Sequence, residues 1–213
     1  MEQSQFQIYP NVYLDSPYQL GEFVIIGEPP RGRRAGELET HIGRGATIRS
    51  HTVIYAGNRI GQGFQTGHGV MVRELNEIGD EVSIGTHSVV EHHVHIANRV
   101  RIHTNAFIPE FSILEEGAWV GPHVVFTNAL YPLSLSAKDN LKGPHILRRA
   151  KIGANATLLP GIVIGEEALI GAGAVVVRDV PERAVVVGNP GRIIGTVTDL
   201  PAYRLKDLLQ EEE

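Results

Sequence analysis

From Ile42 to Phe126, an apolar side chain stands at every sixth position of this chain, with one threonine the exception. The run is Ile42, Ile48, Ile54, Ile60, Thr66, Val72, Ile78, Ile84, Val90, Ile96, Ile102, Ile108, Leu114, Val120 and Phe126. It resumes at Ile146 and continues through Ile152, Leu158, Ile164, Ile170 and Val176, and Leu20 and Ile26 form an earlier fragment. Neither the helical period nor simple strand alternation produces such a series. A six-residue unit is too short to fold alone, so its apolar residue must be buried by stacking unit on unit. Hexapeptide repeats are a signature of the parallel β-helix. Three short strands joined by turns make a triangular coil with Ile, Val and Leu stacked inside. The expected fold is all-β, with about seven complete coils rising roughly 4.8 Å each.

The period stops twice, at "EPPRGRRAGELET" before Ile42 and at "ALYPLSLSAKDNLKGPH" before Ile146. These predict external inserts at about 28–41 and 129–145 of a β-helix domain spanning 1–198. Loops this long in a compact repeat are commonly functional or disordered. "TDLPAYRLKDLLQEEE" suits a C-terminal helical tail over 199–213, capped by Asp199, with Leu205, Leu208 and Leu209 on one face. Such a tail would cover the open end of the solenoid.

Composition narrows the function classes. A net charge of −5 gives no basic footprint for nucleic acid. Cysteine is absent, which excludes disulfides and thiolate metal sites. Met1 to Pro10 is polar and unlike a signal peptide, and no run approaches the roughly 20 apolar residues of a membrane helix. The expectation is a cytoplasmic protein without membrane insertion.

"VVEHHVHIA", Val89 to Ala97, sets three histidines within four residues. Residues 18 apart lie above one another, so the third position of successive units on this face reads Ala56, Glu74, His92, Glu110, Asn128. This ladder alone places a histidine between two carboxylates. A carboxylate beside an imidazole fixes its tautomer and supports its charged form, which suits His92 to general-base work. A histidine on a β-helix face is otherwise usually a solvated surface residue, and His93 and His95 have no such company. His51, His87 and His123 form a column two coils apart, near 10 Å. That is too far for three ligands of one metal within one chain.

The hexad series resembles the left-handed β-helix acyltransferases over about residues 20–195, and left-handedness is implied by that resemblance. "IGAGAVVVRDVPERAVVVGNPGRIIG", Ile170 to Gly195, resembles the ending of acetyl-CoA-dependent hexapeptide transferases, with Gly191 where Ala is more usual. The resemblance implies a coenzyme A site at Gly171, Ala172, Gly173, Ala174, Arg178 and Arg192. Gly171 and Gly173 would let an extended pantetheine arm approach the backbone, and the two guanidiniums would meet phosphates. "VEHHVH" resembles the "EHEC"-like unit of bacillosamine-type sugar N-acetyltransferases, in which the third position holds the catalytic base. His93 stands where an acid usually follows, leaving the orienting role to Glu74 or Glu110. "VVFTNALYP" is similar to the "FTND-YP" stretch of nucleotide-sugar N-acetyltransferases, with Ala129 replacing the acid and Tyr131 before the proline.

The implied activity is an acetyl-CoA-dependent N-acetyltransferase acting on an amino sugar, nucleotide-linked, in a homotrimer with sites between subunits. Asn128 or a backbone N–H would steady the oxyanion, and Arg31, Arg33 and Arg34 would neutralise a diphosphate. An O-acetyltransferase with His92 or His68 as base is the alternative. A non-catalytic assembly subunit is another. The γ-class carbonic anhydrases share the His-x4-His spacing of His87 and His92, but here the pair sits one position out of phase. A one-residue shift turns strand side chains to the opposite side, so no metal is expected.

Overall fold

The computed structural model describes residues 6–203. Each hexapeptide supplies a short strand and a turn, and three units close one triangular coil of a left-handed parallel β-helix. The strands sort into three sheets of nine, eight and ten strands, visited in rotation. The first sheet contains Val89–Val90, the second His95–Ile96 and the third Arg101–Ile102. Pairing follows the 18-residue period, with Met71 beside Val89 and Val89 beside Phe107. The final strand, Arg192–Thr196, instead folds back antiparallel on Ala184–Val187.

The hexad residue is one of two that point inward. Strand alternation turns the residue two positions earlier inward as well, giving the buried pairs Val82/Ile84, Val94/Ile96 and Ala106/Ile108. Thr66, the exception in the series, is buried against Thr52, their hydroxyls 3.2 Å apart, and Phe64 fills the space two positions before it. The residue after the inward one is often glycine because the coils touch there. A Cβ on Gly67 would come within 2.3 Å of the Thr86 nitrogen. At the fourth position the backbone turns left-handed, at φ 60° for Leu75, 55° for His93 and 63° for Phe111. Non-glycine residues adopt this conformation only at a cost.

The coil starts earlier than the hexad series indicates. Gln7–Ile8, Val12–Leu14 and Tyr18–Leu20 already form strands, so the prism exceeds seven coils. Ile8, Leu14 and Leu20 keep the six-residue phase with Ile26, but Ile8 is 39% exposed at the open end and lacks the full apolar lining. At the other end Asp199 does not simply cap a helix. Its carboxylate accepts hydrogen bonds from the Thr196 N–H and hydroxyl, closing a 3-10 turn at Val197–Asp199. Leu205, Leu208 and Leu209 lie outside the described residues.

Both inserts leave the same edge of the prism. One joins Ile25–Glu28 of the first sheet to Thr40–Ile42 of the second, and the other joins Val125–Phe126 to His145–Ile146. The turn carrying His92 lies on that edge, between them.

His103 introduces a pH dependence into the scaffold. Its ring packs on Trp119, centroids 4.6 Å apart, and its buried Nε2 meets no protein partner among the described residues. Burial, with help from Arg101, holds its pKa below the ordinary histidine value. The unfolded chain therefore takes up the proton first. Stability from this group is present above the ordinary value of ~6.5 and is lost as pH falls through the folded value. His103→Phe keeps the ring contact without the titration, so its melting temperature should fall less than that of the wild type on acidification. Parallel melting curves at every pH would show that His103 makes no such contribution.

Candidate active site

The edge between the first and second sheets is stiffened from inside. Asn58 and Asn76 are buried at the fifth position of their units. The Asn58 side chain donates to the carbonyls of Tyr55 and Arg73 and accepts from the Asn76 N–H. Asn76 repeats the pattern one coil on, donating to the Arg73 carbonyl and accepting from the Val94 N–H. Each buried amide thus satisfies groups that would otherwise be orphaned in the turns. The turns bearing Tyr55, Arg73, Glu74, His92 and His93 are pinned to one another in this way.

On that frame the predicted ladder is real as an arrangement, but its pairing differs from expectation. Glu110 is the carboxylate beside His92, with Oε1 3.6 Å from Nε2. Asn128 donates to the other Glu110 oxygen at 2.5 Å. One of its two N–H groups is therefore committed to a carboxylate, so Asn128 positions Glu110 and has at most its other N–H for the oxyanion role expected of it. Glu74 does not orient His92 either. Arg73 takes it bidentately, at 2.9 and 3.1 Å, and a fork of parallel N–H donors outcompetes a single imidazole contact. Burial would raise the Glu74 pKa, but the Arg73 hydrogen bonds, its own backbone N–H and nearby positive charge hold it below the usual carboxylate range.

The second-position ladder runs beside it and escaped the sequence reading. Arg73 lies over the Tyr55 ring at 4.9 Å and also reaches Glu91 at 3.3 Å. Burial pushes the Glu91 carboxyl up despite Arg73. The signal was present, because Tyr55, Arg73 and Glu91 are themselves 18 apart, in the order aromatic, cation, anion. Glu91, His92 and Glu110 bring one ligand-type atom each within 4.8 Å of one another. His93, also set aside on sequence grounds, has its Nδ1 2.8 Å from the Nδ1 of His92. His95 is outside the cluster, exposed and 3.4 Å from Glu77.

Other expected residues fall elsewhere. His68 sits on the edge between the third and first sheets, its Nδ1 2.8 Å from the Ser50 hydroxyl. Within one chain it does not join His92. Arg31, Arg33 and Arg34 are all exposed on the first insert, with Arg33 paired to Glu37 at 2.5 Å. Tyr131 is 72% exposed on the second insert. In the terminal segment Arg178, Gly191 and Arg192 line one cleft with Val176, Val177, Asp179, Val180, Val186 and Ile193. Gly171, Ala172 and Gly173 lie at the surface of the adjoining coil, but Ala174 does not. Its methyl is buried in the prism core and its N–H donates to the Gly171 carbonyl, so its side chain faces away from the surface.

The sequence profile of the bacterial transferase hexapeptide family (six repeats) matches residues 143–178. A protein of Staphylococcus aureus (strain COL) provisionally named an acetyltransferase is 37% identical over 87 residues, 38% of this chain and 44% of its own. The dTDP-3-amino-3,6-dideoxy-alpha-D-galactopyranose 3-N-acetyltransferase of Aneurinibacillus thermoaerophilus is 50% identical over 52 residues, 24% of this chain and 27% of its own. These matches span less than half the length of either relative. Among solved structures, an Arabidopsis UDP-N-acetylglucosamine acyltransferase superposes over 92% of this chain and 74% of its own, with a TM-score of 0.54 and 17% identity. LpxA from Acinetobacter baumannii covers 96% and 76%, with a TM-score of 0.51 and 20% identity. Such likenesses show the shared fold. With the hexad series they show a left-handed parallel β-helix of hexapeptide repeats, and the profile match makes residues 143–178 similar to the hexapeptide transferase family.

Proposed function

We propose that the protein is an acetyl-CoA-dependent N-acetyltransferase whose acceptor is an amino sugar carried on a nucleotide. The observation that carries the reading is the Asn128–Glu110–His92 chain on the edge that both inserts flank. A carboxylate held by an amide, facing an imidazole, is the arrangement that supports a neutral-pH base. The Arg178–Arg192 cleft supports donor binding in the terminal segment. The short, closely matching stretch shared with a sugar N-acetyltransferase favours an amine acceptor. In the reaction the amine attacks the thioester carbonyl, the C–S bond breaks, and the proton leaves toward His92 directly or through an intermediary.

A homotrimer completes the proposal. The outer ladder of the first sheet is apolar, with Met71 and Phe107 each 36% exposed and Val125 39% exposed. The second sheet presents His41, Arg59, Glu77 and His95 in the corresponding ladder. Burying the first sheet against a neighbour would bring the His68 edge of one chain toward the His92 edge of the next. The test is acetyl transfer from acetyl-CoA to dTDP- and UDP-linked amino sugars, assayed across fractions whose mass is measured by light scattering. Transfer should follow the trimer peak and survive exhaustive chelation. Activity in a monomer peak would end the intersubunit site, and loss on chelation restored by zinc would assign Glu91, His92 and Glu110 to a metal. Among the described residues no helix is long and apolar enough to cross a membrane.

A further inference from the structure

We propose that His93 is the group that meets the acceptor amine, and that His92 and His93 form a two-imidazole proton relay backed by Glu110. The inference rests on the acyl-transfer reading above and names its proton path. The two Nδ1 atoms lie 2.8 Å apart, so one of them must carry the proton between them, since two lone pairs or two N–H groups would repel. Glu110 decides which. An ionised carboxylate only accepts, and its Oε1 faces the other His92 nitrogen, Nε2. A neutral His92 therefore holds its proton on Nε2 and offers its Nδ1 lone pair inward to His93. The shared proton then belongs to His93 Nδ1, and the lone pair of His93 is on Nε2.

Exposure agrees with that order. The His92 side chain is 28% exposed and enclosed by its neighbours, whereas His93 is an exposed residue of the turn. Phe111 walls the pair, 5.7 Å from the His93 ring and 6.2 Å from the His92 ring. It occupies the same left-handed corner position as His93 one coil on. Arg73 engages Glu74 and Glu91, and although Glu91 also lies near His92, Glu110 is the carboxylate with an ion-pair contact to it. As the C–N bond forms, the amine proton passes to His93 Nε2 and the His93 Nδ1 proton passes to His92 Nδ1. The His92 imidazolium is then stabilised by Glu110. As the C–S bond breaks, the proton returns by the same path to the leaving thiolate, and both imidazoles are restored.

Two measurements test this. In the ligand-free protein at about pH 8, above the ordinary histidine value of ~6.5, long-range proton–nitrogen NMR reports each tautomer. His93 should be protonated on Nδ1 and His92 on Nε2, and the reverse assignment would overturn the relay whatever the protein acylates. In the second measurement, His93→Gly is compared with wild type using acetyl-CoA and dTDP-3-amino-3,6-dideoxygalactose. Glycine suits the left-handed corner and leaves a gap for free imidazole. Turnover should fall about 10²-fold or more and recover in part when imidazole is added. An active wild type with an equally active His93→Gly variant would refute the outer-base role alone. A wild type that acetylates no amino sugar would instead refute the acyl-transfer reading, with the tautomers still deciding the pair.

Discussion

Replacing His92 by Ala is expected to lower turnover about 10²–10⁴-fold, the range that general-base catalysis supplies, whereas His95→Ala should change it little. The contrast follows from surroundings, since both residues are histidines of the same coil, three positions apart. His92 has Glu110 at one ring nitrogen and His93 at the other. His95 stands on the exposed second-sheet ladder with Glu77, and their side chains are 54% and 71% exposed. An ion pair that open to water is worth little. Glu110→Gln should produce part of the His92 loss, because it keeps the Asn128 contact in shape but removes the charge that stabilises the imidazolium. Equal and small effects at His92 and His95 would return both to the surface. A loss at His92 that shrinks as pH rises would mean that free amine attacks unaided.

The scaffold was legible because its rule is one-dimensional. A side chain buried by stacking must recur with the period of the coil, so Ile42 through Phe126 announce themselves. The same rule weakens at the ends, where Ile8 and Leu14 face an incomplete prism and the composition relaxes. The site was legible only as columns. Eighteen-residue spacing correctly placed Glu74, His92, Glu110 and Asn128 along one edge, but stacking does not say which neighbour a side chain takes. That choice was made by Arg73, one position away in the adjoining column. Its fork captured Glu74 and left His92 to Glu110. Ala174 shows the complementary limit: likeness to a motif does not say which way a side chain points, and strand alternation sends this methyl into the core two residues before Val176.

The terminal cleft yields the second large effect. If Arg178 and Arg192 meet coenzyme A phosphates, replacing either by Ala should raise the apparent KM for acetyl-CoA while turnover falls little. The phosphates lie far from the reacting thioester, so their binding energy is nearly equal in the ground and transition states, and uniform binding appears in KM. Each charge-assisted contact contributes roughly 1.5–3 kcal/mol, which corresponds to about 10- to 150-fold. The two side chains line one cleft and are exposed, with Arg192 donating to the Gly191 carbonyl at 3.0 Å and Asp179 directed back to the Val163 N–H. Neither guanidinium is consumed by that Asp179 contact. Exposure places the effect toward the lower end of the range and makes it sensitive to salt. Rising ionic strength should weaken donor binding in the wild type more than in either variant, because screening acts on the pairs that the variants lack. A donor without the 3′-phosphate should lose affinity in the wild type and lose no more in whichever variant has already removed that contact. Unchanged donor affinity in both variants would move coenzyme A away from this segment and leave the cleft to the packing of the terminal strands.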